Sequence, residues 1–310
     1  VDGNATNPGQ SALQSLEARL VTILPEQYQN SYEDMEPVPM RSAGLKFDAD
    51  GKVAWDEIWG SFCDLAMAGG PPHKGKLLEP ASLAEIEAQP ERYAEVVAEI
   101  CRGIRMVTEL EASPAPDPGW VRVVCANPGM AGWLVRAITM ENVSARRDGP
   151  LLDLPAGPAY RLEKEIKNVI TVIAKTCHYF VDHMWAGQQR DIAELFEKTE
   201  AESPLVQPAP AENEPLRARM AEVIEHATGL RRVTGERPGW LGLECSTVRA
   251  AIWMMRALVV SNVLARREET VLLVAVNPAI DPEGAATVQA LMRVRRAASL
   301  ARSPLWPRPA

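Results

Sequence analysis

No stretch of this 310-residue chain approaches the roughly 18 uninterrupted apolar residues of a membrane span. The opening "VDGNATNPGQ" lacks the basic and apolar regions of a secretory leader, so the sequence predicts a cytoplasmic protein. Cysteine is scarce. Cys63, Cys101, Cys125, Cys177 and Cys245 are odd in number, widely spaced and without a CxxC pair, which argues against a disulfide framework or zinc ribbon and predicts reduced thiols. A basic excess is also missing: 33 Lys and Arg against 41 Asp and Glu leave a net charge of −8. General nucleic-acid binding is therefore not expected, since phosphate neutralisation needs a clustered basic surface. GxSxG, HExxH and GxGxxG are absent, which removes the usual signs of a nucleophile elbow, a helical zinc site and a dinucleotide fold.

What is present is an ordinary globular composition, 46% hydrophobic and 24% charged, which excludes disordered and fibrous classes. The strongest pattern is a repeat. "GWVRVVCANPGMAGWLVRAITMENVSARR" (119–147) returns as "GWLGLECSTVRAAIWMMRALVVSNVLARR" (239–267), with 12 of 29 positions identical. The apolar spacing between identities is kept, so the pattern reads as one structural unit used twice.

The expected fold is α/β (or α+β): a helix-strand-helix-strand-helix unit, internally duplicated about a pseudo-twofold. Two strands per half are too few to cover a core alone. Pairing into one sheet of four or more strands, covered by helices, is favoured over two independent domains. An N-terminal hairpin and helices complete the chain. The expected divisions are a disordered N-terminus (1–10), an N-terminal extension (11–89), repeat 1 (90–186), a helix end and Pro/Ala/Glu-rich linker (187–215), repeat 2 (216–303) and a tail (304–310).

Within this frame, Leu13, Leu16, Leu20 and Ile23 form the apolar stripe of a helix over 11–24. The stripe Tyr93, Val96, Val97, Ile100, Ile104 and Val107 marks another helix beginning at Pro90, with a counterpart from Pro215. Strands are expected at 119–126 and 239–246, then at 151–154 and 271–276. Helices are expected at about 130–147 and 248–267, and closing helices at about 161–184 and 285–301.

Residues common to both halves read mainly as core, including Trp120/Trp240, Trp133/Trp253 and Cys125/Cys245. Arg136 and Arg146 would share a helix face, as would Arg256 and Arg266, either closing salt bridges or lining a basic groove. Differences between halves carry the functional information. The first closing helix spaces Lys164, Asn168, Thr171, Lys175, His178 and Asp182 by three and four, a polar stripe beside the apolar Ile166, Ile170, Ile173, Cys177, Phe180 and Met184. As a pocket wall, this stripe would use His178 as acid or base and its lysines to hold a carboxylate or phosphate. The blander reading is a solvated helix face.

Two loops mimic ligand motifs. Gly70, Gly75 and Lys76 match the start of a P-loop, but Leu77 replaces its Ser or Thr, and Pro71 and Pro72 remove amide donors. The looser expectation is His73, Lys74 and Lys76 presented to an anion. "KFDADGKVAWDE" (46–57) resembles a calcium loop but opens on Lys46, so it reads as a hairpin around an Asp-Gly turn. No metal-ligand set emerges, because Cys177, His178 and His183 do not share one helix face. The cofactor is left unknown.

The sequence thus predicts a binding protein, or an acid/base enzyme, for an anionic small molecule with apolar surface. The ligand would be a carboxylated aromatic or tetrapyrrole-like compound, held between the first closing helix and the His73 loop. The alternative is a non-catalytic assembly factor using the duplicated Arg-bearing helices, and a homo-oligomer is compatible with either.

Overall fold

The computed structural model describes residues 8–29, 44–59, 75–235 and 238–300, which divide into two units. One is central (37–193); the other is split (1–36 with 194–310). The chain opens in the split unit with α1 (Pro8–Ile23) and α2 (Glu26–Gln29). Helix α1 begins within the stretch expected to be disordered, and Leu13, Leu16, Leu20 and Ile23 are its buried stripe. His73, Lys74, Cys63 and the tail lie outside the described residues.

The central unit starts with the 46–57 turn. A single antiparallel bridge, Phe47 to Val53, closes it, and Asp48 Oδ1 accepts from the N–H groups of Asp50 and Lys52. The Lys46 ammonium donates to the Glu57 carbonyl at 3.1 Å. The order is then α3 (Leu83–Ala88), α4 (Pro90–Thr108), β1 (Glu111–Pro114), β2 (Trp120–Val124), α5 (Pro128–Met140), β3 (Arg146–Asp148) and β4 (Leu151–Pro155). A π-helical turn (Leu162–Ile166) leads directly into α6 (Lys167–Asp182). Helix α7 (Ala186–Glu202) carries the chain across the division between units.

The split unit continues with α8 (Glu214–Thr228), β5 (Arg232–Val233), β6 (Trp240–Glu244), α9 (Val248–Val259), β7 (Ala265–Glu268), β8 (Val271–Ala275) and α10 (Ala285–Ala298). Among the described residues there are thus two four-stranded antiparallel sheets, ordered β1-β2-β4-β3 and β5-β6-β8-β7. The expectation of one shared sheet is corrected, for an identifiable reason. Each half owns two further strands that carry little sequence signal. Strand β1 buries only Ala112 of its four residues, and β5 is two residues long.

The expected long helices are also corrected. Helices α5 and α9 end at Met140 and Val259, so the Arg146 and Arg266 pairs lie on strands β3 and β7. Asn142 and Asn262 turn the chain with left-handed φ of 59° and 61°, a conformation asparagine tolerates better than most residues. Each amide side chain then anchors a distant strip of backbone. Asn142 Nδ2 donates to the Gly75 carbonyl and Asn262 Nδ2 to the Ser203 carbonyl, both at 2.8 Å.

Those strips are "KLLEPA" (76–81) and "PLVQPA" (204–209), and each forms one parallel bridge, Leu78 to Val143 and Val206 to Val263. The expected solvated linker is therefore in part a built-in strip, with Leu205 and Val206 buried. Gly119 and Gly239 show why the fit is close. Both have positive φ, and a Cβ at either would meet the carbonyl oxygen of Ala81 or Ala209.

In the central unit, α4 packs on α6 and β1, and α5 packs on α6. In the split unit, α10 packs on α8, α9 and α1. Asn127 and Thr247 cap the helices that cover the two sheets, accepting from Met130 N and Ala250 N. Among the described residues no helix is long and apolar enough to cross a membrane.

Candidate functional site

Helix α6 carries most of the residues singled out above, and it does not present them to one pocket. In the π-helical turn before it, Lys164 is exposed and 3.5 Å from Glu165. Asn168 is half-buried. Thr171 is buried and its hydroxyl donates back to the Lys167 carbonyl at 2.7 Å, a local bond that removes it from ligand chemistry. Fourteen residues separate Lys164 from His178, about 20 Å at helical rise, so one small molecule cannot bridge them. Lys76 is exposed at the head of the 76–81 strip.

Lys175 is a correction to the expected anion-holding lysine. Its ammonium donates to Glu141 Oε1 at 2.7 Å, and the two side chains are only 4% and 6% exposed. The charge of Lys175 is thus balanced inside the unit, and its Nζ also lies 5.8 Å from the centroid of the Tyr179 ring. Glu141 Oε2 is buried with no hydrogen-bond partner among the described residues. Glu141 was missed because it lies just past a helix of core residues. One signal was available: the position 120 later is Ser261, so Glu141 belongs to the differences between halves.

The C-terminal end of α6 gathers the titratable groups. His178 Nδ1 lies 2.6 Å from Asp182 Oδ2, one helical turn on. His178 Nε2 lies 3.0 Å from His183 Nε2. On a continuous helix His183, five residues on, would lie off the face of His178. The helix instead stops at Asp182, and His183, with φ −111° and ψ −4°, brings its ring back against His178 at 4.7 Å between centroids. Gln189 fixes this ending by donating its amide to the Phe180 and Met184 carbonyls, two acceptors that a helix end leaves open.

Around the pair, the Trp59 ring meets His178 edge-on at 5.7 Å and Tyr179 meets His183 at 6.0 Å. Val181 and Trp185 are 53% and 66% exposed, an apolar surface flanking Asp182. The His178 ring is half-buried, with 24% of its side chain exposed. Burial first, and the neighbouring His178 second, hold His183 below the usual imidazole range against the pull of Asp182.

Cys177 is not a nucleophile in this setting. It is buried, and desolvation pushes its thiol up to about 12. Cys125 and Cys245 are likewise pushed up to about 12 by burial, and Cys101 to about 11. Among the described residues no three His, Cys, Asp or Glu side chains are grouped to hold a metal ion.

The arrangement can move a proton. With the His178 proton on Nδ1, the nitrogen that faces Asp182, Nε2 would be the basic atom facing a second imidazole. No protein-family model, curated protein or solved structure matches this chain.

Proposed function

We propose that the C-terminal end of α6 binds an anionic small molecule with planar apolar surface and exchanges a proton with it through His178 and His183. The Asp182–His178–His183 hydrogen-bond chain carries this reading. A proton held between the two Nε2 atoms, 3.0 Å apart, can be offered to a bound anion, although Asp182 balances the imidazolium so that the group carries no net charge. Lys175 does not supply a net charge either, being balanced by Glu141. Trp185, Val181 and the Trp59 edge offer the apolar contact. The ligand class is a carboxylated planar ring system, from a bicyclic aromatic to a tetrapyrrole.

The test is titration with 2,6-naphthalenedicarboxylate and with protoporphyrin IX, followed by tryptophan fluorescence and histidine ring proton resonances. Saturable binding is expected, weakened about tenfold or more by His178→Gln and by His183→Gln, as loss of a charge-assisted contact would do. No binding, or binding that neither variant weakens, overturns the proposal. The competing assembly reading has less support. Arg136 and Arg256 are 1% and 5% exposed, and Arg146 and Arg266 lie over Trp120 and Trp240 within their own units.

We infer further that the two units are copies of one ancestral unit, of which the central copy gained the working groups. Support comes from the 12 shared residues and from sheet registers that pair Trp120 with Pro155 and Trp240 with Ala275. Replacing 240–275 by the equally long 120–155 segment should leave one cooperative unfolding transition for the split unit. A non-cooperative melt would count against common origin.

A further inference from the structure

A hollow lies at the opposite end of the same helical run, independent of the histidine pair. It is a cleft of about 280 Å³ in the central unit, between the 46–57 turn, α4 and the π-helical turn. Its floor is Val53, Val96 and Ile166, each at most 3% exposed, and its walls are Leu162 and Phe47. Phe47 is 57% exposed although its backbone is pinned by the bridge to Val53, so an aromatic ring stands half in water beside an apolar hollow.

The π-helical turn shapes the wall. Ile166 N–H reaches back five residues to the Arg161 carbonyl at 3.1 Å, and Glu165 stabilises the widened turn by accepting from both the Arg161 backbone N–H and its guanidinium. Such turns are rare and recur at functional sites. Among the described residues the split unit has neither a π-helical turn nor a counterpart of the 46–57 turn.

The rim charges decide what fits. Arg92 is held by Glu95 and by the Tyr160 carbonyl. Glu99 accepts from Trp55 Nε1 and from two nitrogens of Arg102. Among the described residues these groups pair with one another, whereas the exposed Lys52 ammonium forms no ion pair, although Asp48, which accepts from the Lys52 backbone N–H, and Asp50 stand in the same turn. We infer that this cleft binds a small monoanion with a compact apolar body, an arylalkyl or branched-chain carboxylate, its carboxylate on Lys52 and its body under Phe47. The volume lies near the lower end for ligand sites, which excludes the larger ring systems proposed for the histidine end.

The probe is phenylacetate, with 2-phenylethanol as its neutral analogue, titrated into methyl-labelled full-length protein and read by NMR. Saturable shifts are expected at the Val53, Val96, Leu162 and Ile166 methyls, with the alcohol binding about tenfold more weakly. Lys52→Gln, at an exposed position that folding tolerates, should weaken phenylacetate by a similar factor. Leu162→Trp should fill the cleft and abolish the shifts. His178→Gln should leave phenylacetate binding unchanged, which separates this site from the histidine pair. No saturable methyl shift, equal binding of acid and alcohol, or insensitivity to Lys52→Gln overturns the inference.

Discussion

In the central unit Asp153 sits on β4 opposite Arg122 of β2 and Arg146 of β3, and both guanidinium groups bond its carboxylate. In the split unit the same register places Leu273 opposite Gly242 and Arg266, and Leu273 is fully buried. Arg266 bonds Glu268 of its own strand instead. The contrast recurs past the covering helices. There the central unit buries the Glu141–Lys175 pair, while Ser261 merely returns its hydroxyl to the Ala257 carbonyl. One strand order thus accommodates a buried carboxylate at this register position in one unit and a leucine in the other, although both units bury arginines, Arg136 in the central unit and Arg217, Arg256, Arg266 and Arg267 in the split one.

The largest expected effect breaks that contrast at its costliest point. Lys175→Met should destabilise the central unit by about 3–5 kcal/mol, because it leaves the Glu141 carboxylate buried without its partner. Glu141→Leu combined with Lys175→Met should recover most of the loss, and Ser261→Ala should cost under about 1 kcal/mol. Denaturant unfolding midpoints measure all three. If Lys175→Met is nearly neutral, the two interiors are energetically equivalent after all.

Next in size, Asp153→Leu installs the residue of the other unit and strips both arginines of their shared acceptor. A loss of about 1–3 kcal/mol is expected. Adding Arg122→Gly should return part of it, since the remaining arginine is 36% exposed and can be hydrated. Equal stability of the single and double variants would show that the triad contributes little.

Asn142→Ala and Asn262→Ala sharpen the likeness rather than the difference. Each loses a tolerated left-handed backbone and the bond that anchors its strip, so about 1–2 kcal/mol is expected at either site. Glycine at the same positions should cost less. Clearly unequal losses would show that the two strips are held by different means.

The smallest effect is a pH slope. His183 is held below its ordinary value in the folded state, so above the ordinary range both states are neutral and nothing changes. As pH falls through that range the unfolded chain takes the proton first and stability declines, until the folded-state value is passed. His183→Gln should flatten that decline in the thermal midpoint between about pH 7 and pH 5. The ring is partly exposed, so the slope is shallow.

Much of the scaffold was legible because it rests on strong periodicity. The stripes of α1 and α4, the central strands β2, β4, β6 and β8, and the closing helices were all marked by apolar spacing that propensity and burial both favour. Edge strands were illegible for the opposite reason. Glu111–Pro114 and Arg146–Asp148 bury little, and "SARR" continues a helical pattern unless Asn142 is recognised as a left-handed stop. Helix α7 was read only as a helix end leading into a linker. At the site, the His178–Asp182 turn followed from spacing alone. The return of His183 required knowing where α6 ends, and the withdrawal of Lys175 required a carboxylate 34 residues away.

The strip of 204–209 changes how this molecule is to be divided. A boundary drawn through the Pro- and Ala-rich stretch, where composition invites one, would tear away backbone that zips onto 262–264 and 276 through paired amides. Fragments cut there should emerge frayed and sticky, and a protease offered the intact chain should pass over Leu205 and Val206 despite the proline-studded surroundings.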